Sequence, residues 1–133
     1  MSRRKAREIA FKVLFQVDQV DADARAAFNY LVEQTPLEDN NRDFSWQLVE
    51  GCLQSLPEID EKITKYSREW SLSRMLSVDR NVMRLACYEI LHMTETHPVV
   101  VIDEAIEIAK RYGNENSGGF VNAILDKILG EKK

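Results

Sequence analysis

Residues 78–93, VDRNVMRLACYEILHM, decide how the rest of the chain is read. Between Val82 and Leu91 the apolar residues fall on nearly every side of a helix, and a helix with no wet face belongs at the centre of a bundle. The remaining segments must wrap around it. Only five Gly and three Pro occur in 133 residues, a sparsity that favours long helices over many short strands.

Just upstream, Ser77 is a natural cap for this helix, and Ser71 to Met75 forms a short connecting piece. Before that, Pro57 suits a first helical position, with Ile59, Ile63, Tyr66 and Trp70 on one side of the helix it opens. Downstream, Pro98 opens a segment whose start, Val99-Val100-Val101-Ile102, has the composition of a strand. The following Glu104 to Lys110 is strongly helical, so 99–112 is read as one helix ended by Gly113. A last helix covers 117–129, with Gly130 as its stop. In the N-terminal third, Ala6, Ile9, Ala10, Val13, Leu14 and Val17 mark a helix over 3–17. A second helix spans 24–34 and is halted by Pro36. A third spans 41–56, capped by Asp39 or Asn40, with Leu48, Val49, Cys52, Leu53 and Leu56 as its stripe. The expectation is an all-α fold of about seven helices in one domain, 1–133. Its N-terminal half is 1–56 and its C-terminal half 57–133.

Net charge is −4, but it is unevenly spread. Residues 1–12 carry five bases against one acid, and residues 62–84 carry six against two. Between them lies a stretch of eleven acids and two bases. Two basic blocks in an otherwise acidic chain point to localised patches for an anionic partner. Lys62, Lys65 and Arg68 recur every three residues and share a face, either as solvated surface or as an extension of such a patch.

The first helix is the sharpest candidate. At about 100° per residue, with Arg4 at zero, Arg7 falls near 300°, Phe11 near 340° and Phe15 near 20°, while the apolar stripe runs from about 140° to 280°. Phe11 and Phe15 are thus expected to share an outer face with the arginines. Guanidinium groups pair with phosphates and aromatic faces stack on unpaired bases, the combination a single-stranded RNA site needs. On this reading Arg7→Ala weakens RNA binding without unfolding the protein. The competing reading packs both rings under a neighbouring helix.

Other residues carry blander readings. Glu89, inside the apolar helix, is expected to be held by a structural ion pair or a backbone cap, because a buried lone carboxylate is costly. Cys52 and Cys87 read as buried free thiols. His92 and His97 have no acid, cysteine or serine at a spacing that suggests a triad. Glu115 to Gly119 is a polar turn, either a plain cap or a place where backbone amides and Asn116 meet a phosphate. No metal-ligand spacing, phosphate loop or nucleophile motif occurs, so no catalytic residue, metal or cofactor is expected. The aliphatic run Val99–Ile102 is far too short to span a bilayer, and no signal peptide is visible, which favours a cytoplasmic protein with no membrane partner.

Several stretches resemble the NusB family: RRKAREIAFKVLFQ at 3–16, LVEGCL at 48–53, WSLSRMLSVDRNVMRLACYEIL at 70–91 and IDEAIEIAKRYGNENSGGFVNAILDKI at 102–128. The resemblance implies two packed three-helix bundles and a factor that binds the boxA element of ribosomal RNA transcripts. It also implies a heterodimer with the ribosomal protein NusE, assembled into the antitermination complex on RNA polymerase. Arg3, Arg4, Lys5, Arg7, Phe15, Gln16, Asn116 and Ser117 would then face RNA, with Phe11 beside them from the angular reading. Met75, Asp79 and Arg80 would face NusE. Two positions depart from the family pattern: Gly119 stands where a lysine is common, and Ala123 where a glycine is. The alternatives are a helical protein–protein adaptor or homodimer without RNA binding, a fragment of the related domain that precedes ribosomal RNA methyltransferases, and, least supported, a small enzyme.

Overall fold

The computed structural model describes residues 2–132 as seven α-helices and one short 3₁₀ turn, with no strand among them. The helices are α1 (Arg3–Val20), α2 (Ala24–Gln34), α3 (Asp39–Gln54), α4 (Leu56–Tyr66), α5 (Ser77–His92), α6 (Pro98–Tyr112) and α7 (Ser117–Lys132). The turn, Leu72–Arg74, lies between α4 and α5. The Val99–Ile102 run is helical, as its downstream neighbours imply.

α5 is the central element. Ten of its sixteen residues are buried, from Asp79 to Ile90. It packs on α6 and α7 to one side, on α1 and α3 to the other, and on α4. α1, α2 and α3 pack on one another, and one continuous core runs from Ala6 of α1 to Leu129 of α7. α3 approaches α5 closely because residue 51 has no side chain. A Cβ on Gly51 would lie 2.0 Å from the Tyr88 hydroxyl.

Local signals explain most ends. Ser2 accepts the Lys5 N–H at the start of α1, Asp23 the Ala26 N–H at the start of α2, and His97 the Val99 N–H at the start of α6. Asp21 ends α1 in the left-handed region (φ 53°), which Asp tolerates better than most residues. Three expectations shift. α3 starts at Asp39 with Glu38 preceding it. Ser77 is the first residue of α5, so Leu76 occupies the cap position. Gly130 does not stop α7. The helix continues to Lys132, because Glu131 receives bonds from Lys62, Lys65 (2.6 Å) and Tyr66 (2.5 Å), and Lys132 donates to the Ile90 carbonyl at 2.5 Å. Those three donors, the two lysines first, pull the Glu131 carboxyl down to about 2.

Cys52 and Cys87 are free and fully buried, and burial pushes both thiols up to about 12. No helix of the described residues is long and apolar enough to cross a membrane.

Candidate nucleic-acid interface

α1 carries the first candidate face, and its buried arc is wider than the periodicity suggests. Ala6, Arg7, Ile9, Ala10, Phe11, Val13 and Leu14 are all buried. On the angular scale used above they run from about 140° round to about 340°, leaving roughly 0° to 120° for Arg4, Glu8, Lys12, Phe15, Lys5, Gln16 and Gln19. The cause is that α1 is sandwiched between α2, α3 and α5.

Two expectations are therefore corrected. Phe11 does not face outward. It is 3% exposed, and its ring packs 6.0 Å from Phe15 and 5.5 Å from Tyr112. Arg7 does not face outward either. Its Nε donates to Glu89 Oε1 at 2.8 Å and its Nη2 to Glu89 Oε2 at 2.6 Å, with Thr96 Oγ1 at 3.2 Å. The side chains of Arg7 and Glu89 are 6% and 2% exposed. The ion pair expected at Glu89 is present, and Arg7 is the partner it takes.

The other cations of α1 differ in availability. Arg3 lies 4.0 Å over the Phe44 ring and donates to the Asn40 carbonyl and Asn41 Oδ1, each at 3.3 Å. Arg4 pairs with Glu104 through two bonds of 3.0 and 2.9 Å, but its side chain is 61% exposed. Its partner Glu104 is 15% exposed, so only the arginine end of this pair is open to solvent. Lys5 is exposed and makes no ion pair among the described residues. Lys12 lies 5.6 Å from the Tyr112 ring centre.

Lys12, Phe15, Gln16, Tyr112 and Val78 surround a cleft of about 210 Å³ with Phe11 also in its lining. The arrangement joins an ammonium, a half-exposed aromatic edge and an amide. Glu8 steadies one wall by accepting from Arg111 (2.7 Å) and the Tyr112 hydroxyl (3.0 Å). Lys12 and Tyr112 were not singled out from the sequence. The signal for Lys12 was the i, i+7, i+11 spacing of Lys5, Lys12 and Gln16, which places all three on one side of α1, whereas Tyr112 on α6 carried none.

The α6–α7 loop is the second candidate. Asn116 is exposed, whereas Ser117 is fully buried and does not face outward. Its hydroxyl accepts from the Asn114 N–H at 3.0 Å, and Asn114 Oδ1 accepts from the Asn116 N–H at 2.8 Å. Gly113 makes this turn possible, since a Cβ there would lie 2.2 Å from Ser117 Oγ.

The expected partner stretch is also more buried than the resemblance implies. Met75, Asp79 and Arg80 are 7%, 6% and 9% exposed. Met75 and Asp79 line an open groove of about 360 Å³ together with Trp70, Leu76, Asn116 and Phe120. Trp70 and Leu76 are its large exposed apolar residues, and Trp70 lies outside α4 and not on its stripe. Asp79 Oδ1 is buried without a hydrogen-bond partner, and burial pushes its carboxyl above the usual aspartate range, with the Ser117 hydroxyl opposing. Arg80 is turned inward and does not line the groove. Val78 in the lining of the cleft and Asp79 in that of the groove are consecutive residues at the start of α5.

The second basic block is mostly consumed internally. Lys62 and Lys65 hold Glu131, Arg80 holds Asp18, and Arg84 holds Asp60 at 2.9 and 3.0 Å. His92 bonds Glu58 at 2.8 Å. No group of three or more His, Cys, Asp or Glu among the described residues is placed to hold a metal ion.

Comparison with known proteins matches residues 4–130 to the NusB family model. A transcription antitermination protein NusB from Syntrophomonas wolfei is 66% identical over 132 residues, covering 99% of this chain and 98% of its own length. One from Desulfitobacterium hafniense is 47% identical, covering 97% and 88%. Among solved structures, T. maritima NusB matches with a TM-score of 0.92 at 43% identity, covering 98% of this chain and 92% of that one. A crystal structure of antitermination factors NusB and NusE in complex with dsRNA matches at 0.89 and 28% identity, covering 97% and 96%. With the family model matched along nearly the whole length and relatives this similar, the chain belongs to the NusB family, whose members are transcription antitermination factors and not enzymes.

Proposed function

We propose that this antitermination factor binds single-stranded boxA RNA of ribosomal RNA transcripts together with NusE, and that the pair joins the antitermination complex on RNA polymerase. The observation that carries the RNA half is the cleft between α1 and α6, where Lys12, Phe15, Gln16 and Tyr112 converge beside exposed Lys5 and Arg4. Lys5, Lys12 and the exposed Arg4 supply phosphate attraction. Phe15 and Tyr112 offer the exposed parts of their rings to unstacked bases, and Gln16 with Asn116 offers amides to base edges. Arg7, Phe11 and Ser117 are buried and act as supports, while Arg3 is half-buried against Phe44. For three neutralised phosphates on a single strand, log affinity falls against log salt with a slope of about −2.

The groove between the 3₁₀ turn and the α6–α7 loop is the docking place for NusE. Apolar Trp70, Leu76 and Phe120 supply burial, with the buried Asp79 carboxylate in the same lining. The similar structure that contains NusB, NusE and dsRNA supports NusE and an RNA as partners for this chain.

The test is fluorescence anisotropy with boxA-like single-stranded RNA, a scrambled strand and a duplex of the same sequence, each with and without NusE. The reading requires preference for the boxA-like strand and tighter binding with NusE. Equal affinity for all three RNAs removes the boxA assignment. No RNA binding, alongside self-association or NusE binding alone, leaves a protein–protein adaptor or homodimer instead.

A further inference from the structure

The groove's outer wall is a connection with little internal structure. Between α4 and α5, residues 67–76 hold only the 3₁₀ turn. Its own backbone bonds are local, Trp70 to Ser67, Arg74 to Ser71 and Met75 to Leu72, so its placement against the helices needs another fastening. The guanidinium of Arg80 sits behind that wall. Its Nη1 donates to the carbonyls of Leu72 (2.7 Å) and Met75 (3.3 Å). Its Nε and Nη2 donate to Asp18 Oδ2 at 3.0 and 2.6 Å. Asp18 lies on α1 one turn beyond Phe15. Asn81 also donates to Asp18, at 2.9 Å, and Arg84 lies 3.7 Å away. Burial opposes the charge on Asp18, but the bonds from Arg80 and Asn81 and the charges of Arg80 and Arg84 win, so its carboxyl titrates below the ordinary range.

We propose that Arg80 is a positioning residue that fastens the 72–75 carbonyls to Asp18 of α1 and so sets the shape of the partner groove relative to the RNA-facing helix. A planar fork is what the task requires. One guanidinium can reach two carbonyls on one edge and a carboxylate on the other, whereas an ammonium has a single centre. The arginine therefore serves the partner surface without touching the partner. The shaping of the groove stands on the bonds above, and its benefit to NusE rests on the partner reading given under the proposed function.

The experiment uses the full chain in a Trp46→Phe background, which leaves Trp70 as the sole indole. Acrylamide quenching of Trp70 reads the groove wall directly, circular dichroism reads helix content, and a titration with NusE reads the partner. Arg80→Lys and Asp18→Asn are expected to keep the helices. Because Trp70 is already 51% exposed, its quenching constant should rise by up to about twofold as the wall loosens. NusE affinity should fall about tenfold. Arg80→Ala should do more of both. If it does not fold, Arg80→Lys decides. Parent-like quenching in the folded Arg80 variants overturns the clamp. Changed quenching with unchanged NusE affinity overturns its service to the partner. A parent that fails to bind NusE defeats the partner reading instead, while Trp70 still decides whether Arg80 shapes the wall.

Discussion

Replacing Arg7 with alanine leaves the Glu89 carboxylate in the core without the two bonds that satisfy it. The pair spans 82 positions, its atoms lie 2.6 to 2.8 Å apart, and Glu89 is 2% exposed. The cost is that of a stranded buried charge, about 3–5 kcal/mol. Phe44, which has Arg7 5.2 Å from its ring, also loses a neighbour. For 133 residues, unfolding entropy of roughly 2 cal/mol/K per residue turns that cost into a fall in Tm of about 10–20 °C. Thermal and urea unfolding followed by circular dichroism measure it. A variant that melts within about 3 °C of the parent refutes the reasoning, because the pair would then be contributing almost nothing. The paired change Arg7→Met/Glu89→Leu removes both charges with similar volume and should return to within about 1 kcal/mol of the parent. RNA affinity of that double variant should match the parent. A clear loss of RNA binding in a stable double variant would mean that Arg7 reaches RNA after all.

Three further outcomes follow from the surface. Lys12→Ala should weaken RNA binding severalfold and make the salt slope shallower by about 0.7 to 1, with Tm unchanged, as read by anisotropy across a salt series. Gly119→Lys should act oppositely. A Cβ at Gly119 meets nothing within 4 Å, and the gain in helix propensity is offset by a cation in the first turn of α7, so the change should leave stability within about 0.5 kcal/mol and steepen the salt slope if the site borders RNA. Asp79→Asn should raise Tm at pH 7, by about 0.5–1.5 kcal/mol in stability, because the ionised carboxylate is buried with one oxygen unpaired. The sign follows from its raised pKa: the handicap is full above the folded value, fades as pH falls through it and is gone below the exposed value of 3.8, where parent and variant should converge. A difference that ignores pH would contradict it.

The helices were legible because their signals are local. The all-round apolar run at Val82–Leu91, Pro98 before α6 and Gly113 after it act within a turn or two of themselves, and α2 is bounded as its sequence suggests. The candidate interface was less legible because the rotation of α1 is set by distant partners. Periodicity marks the aliphatic stripe but says nothing about an arginine whose counter-ion lies on another helix, so Arg7 read as surface. Phe11 sat at the margin of the stripe and was drawn inward by Tyr112 from α6. Ser117 read as a loop hydroxyl, yet the turn at Gly113 folds it under. Trp70 matched the α4 spacing, but α4 ends at Tyr66 and leaves it on the groove wall. Gly130 read as a stop, and anchoring of Glu131 and Lys132 by α4 and α5 outweighs its poor helix propensity.

The Arg7–Glu89 and Arg4–Glu104 bonds join positions 82 and 100 residues apart, which has a consequence during biosynthesis. As the nascent chain emerges, α1 appears first, yet one of its flanks stays bare until α5 has been translated. At about 5–20 residues per second that wait lasts on the order of ten seconds. A ribosome paused in the middle of the message would therefore hold out an unfinished apolar ridge with a lone guanidinium in it.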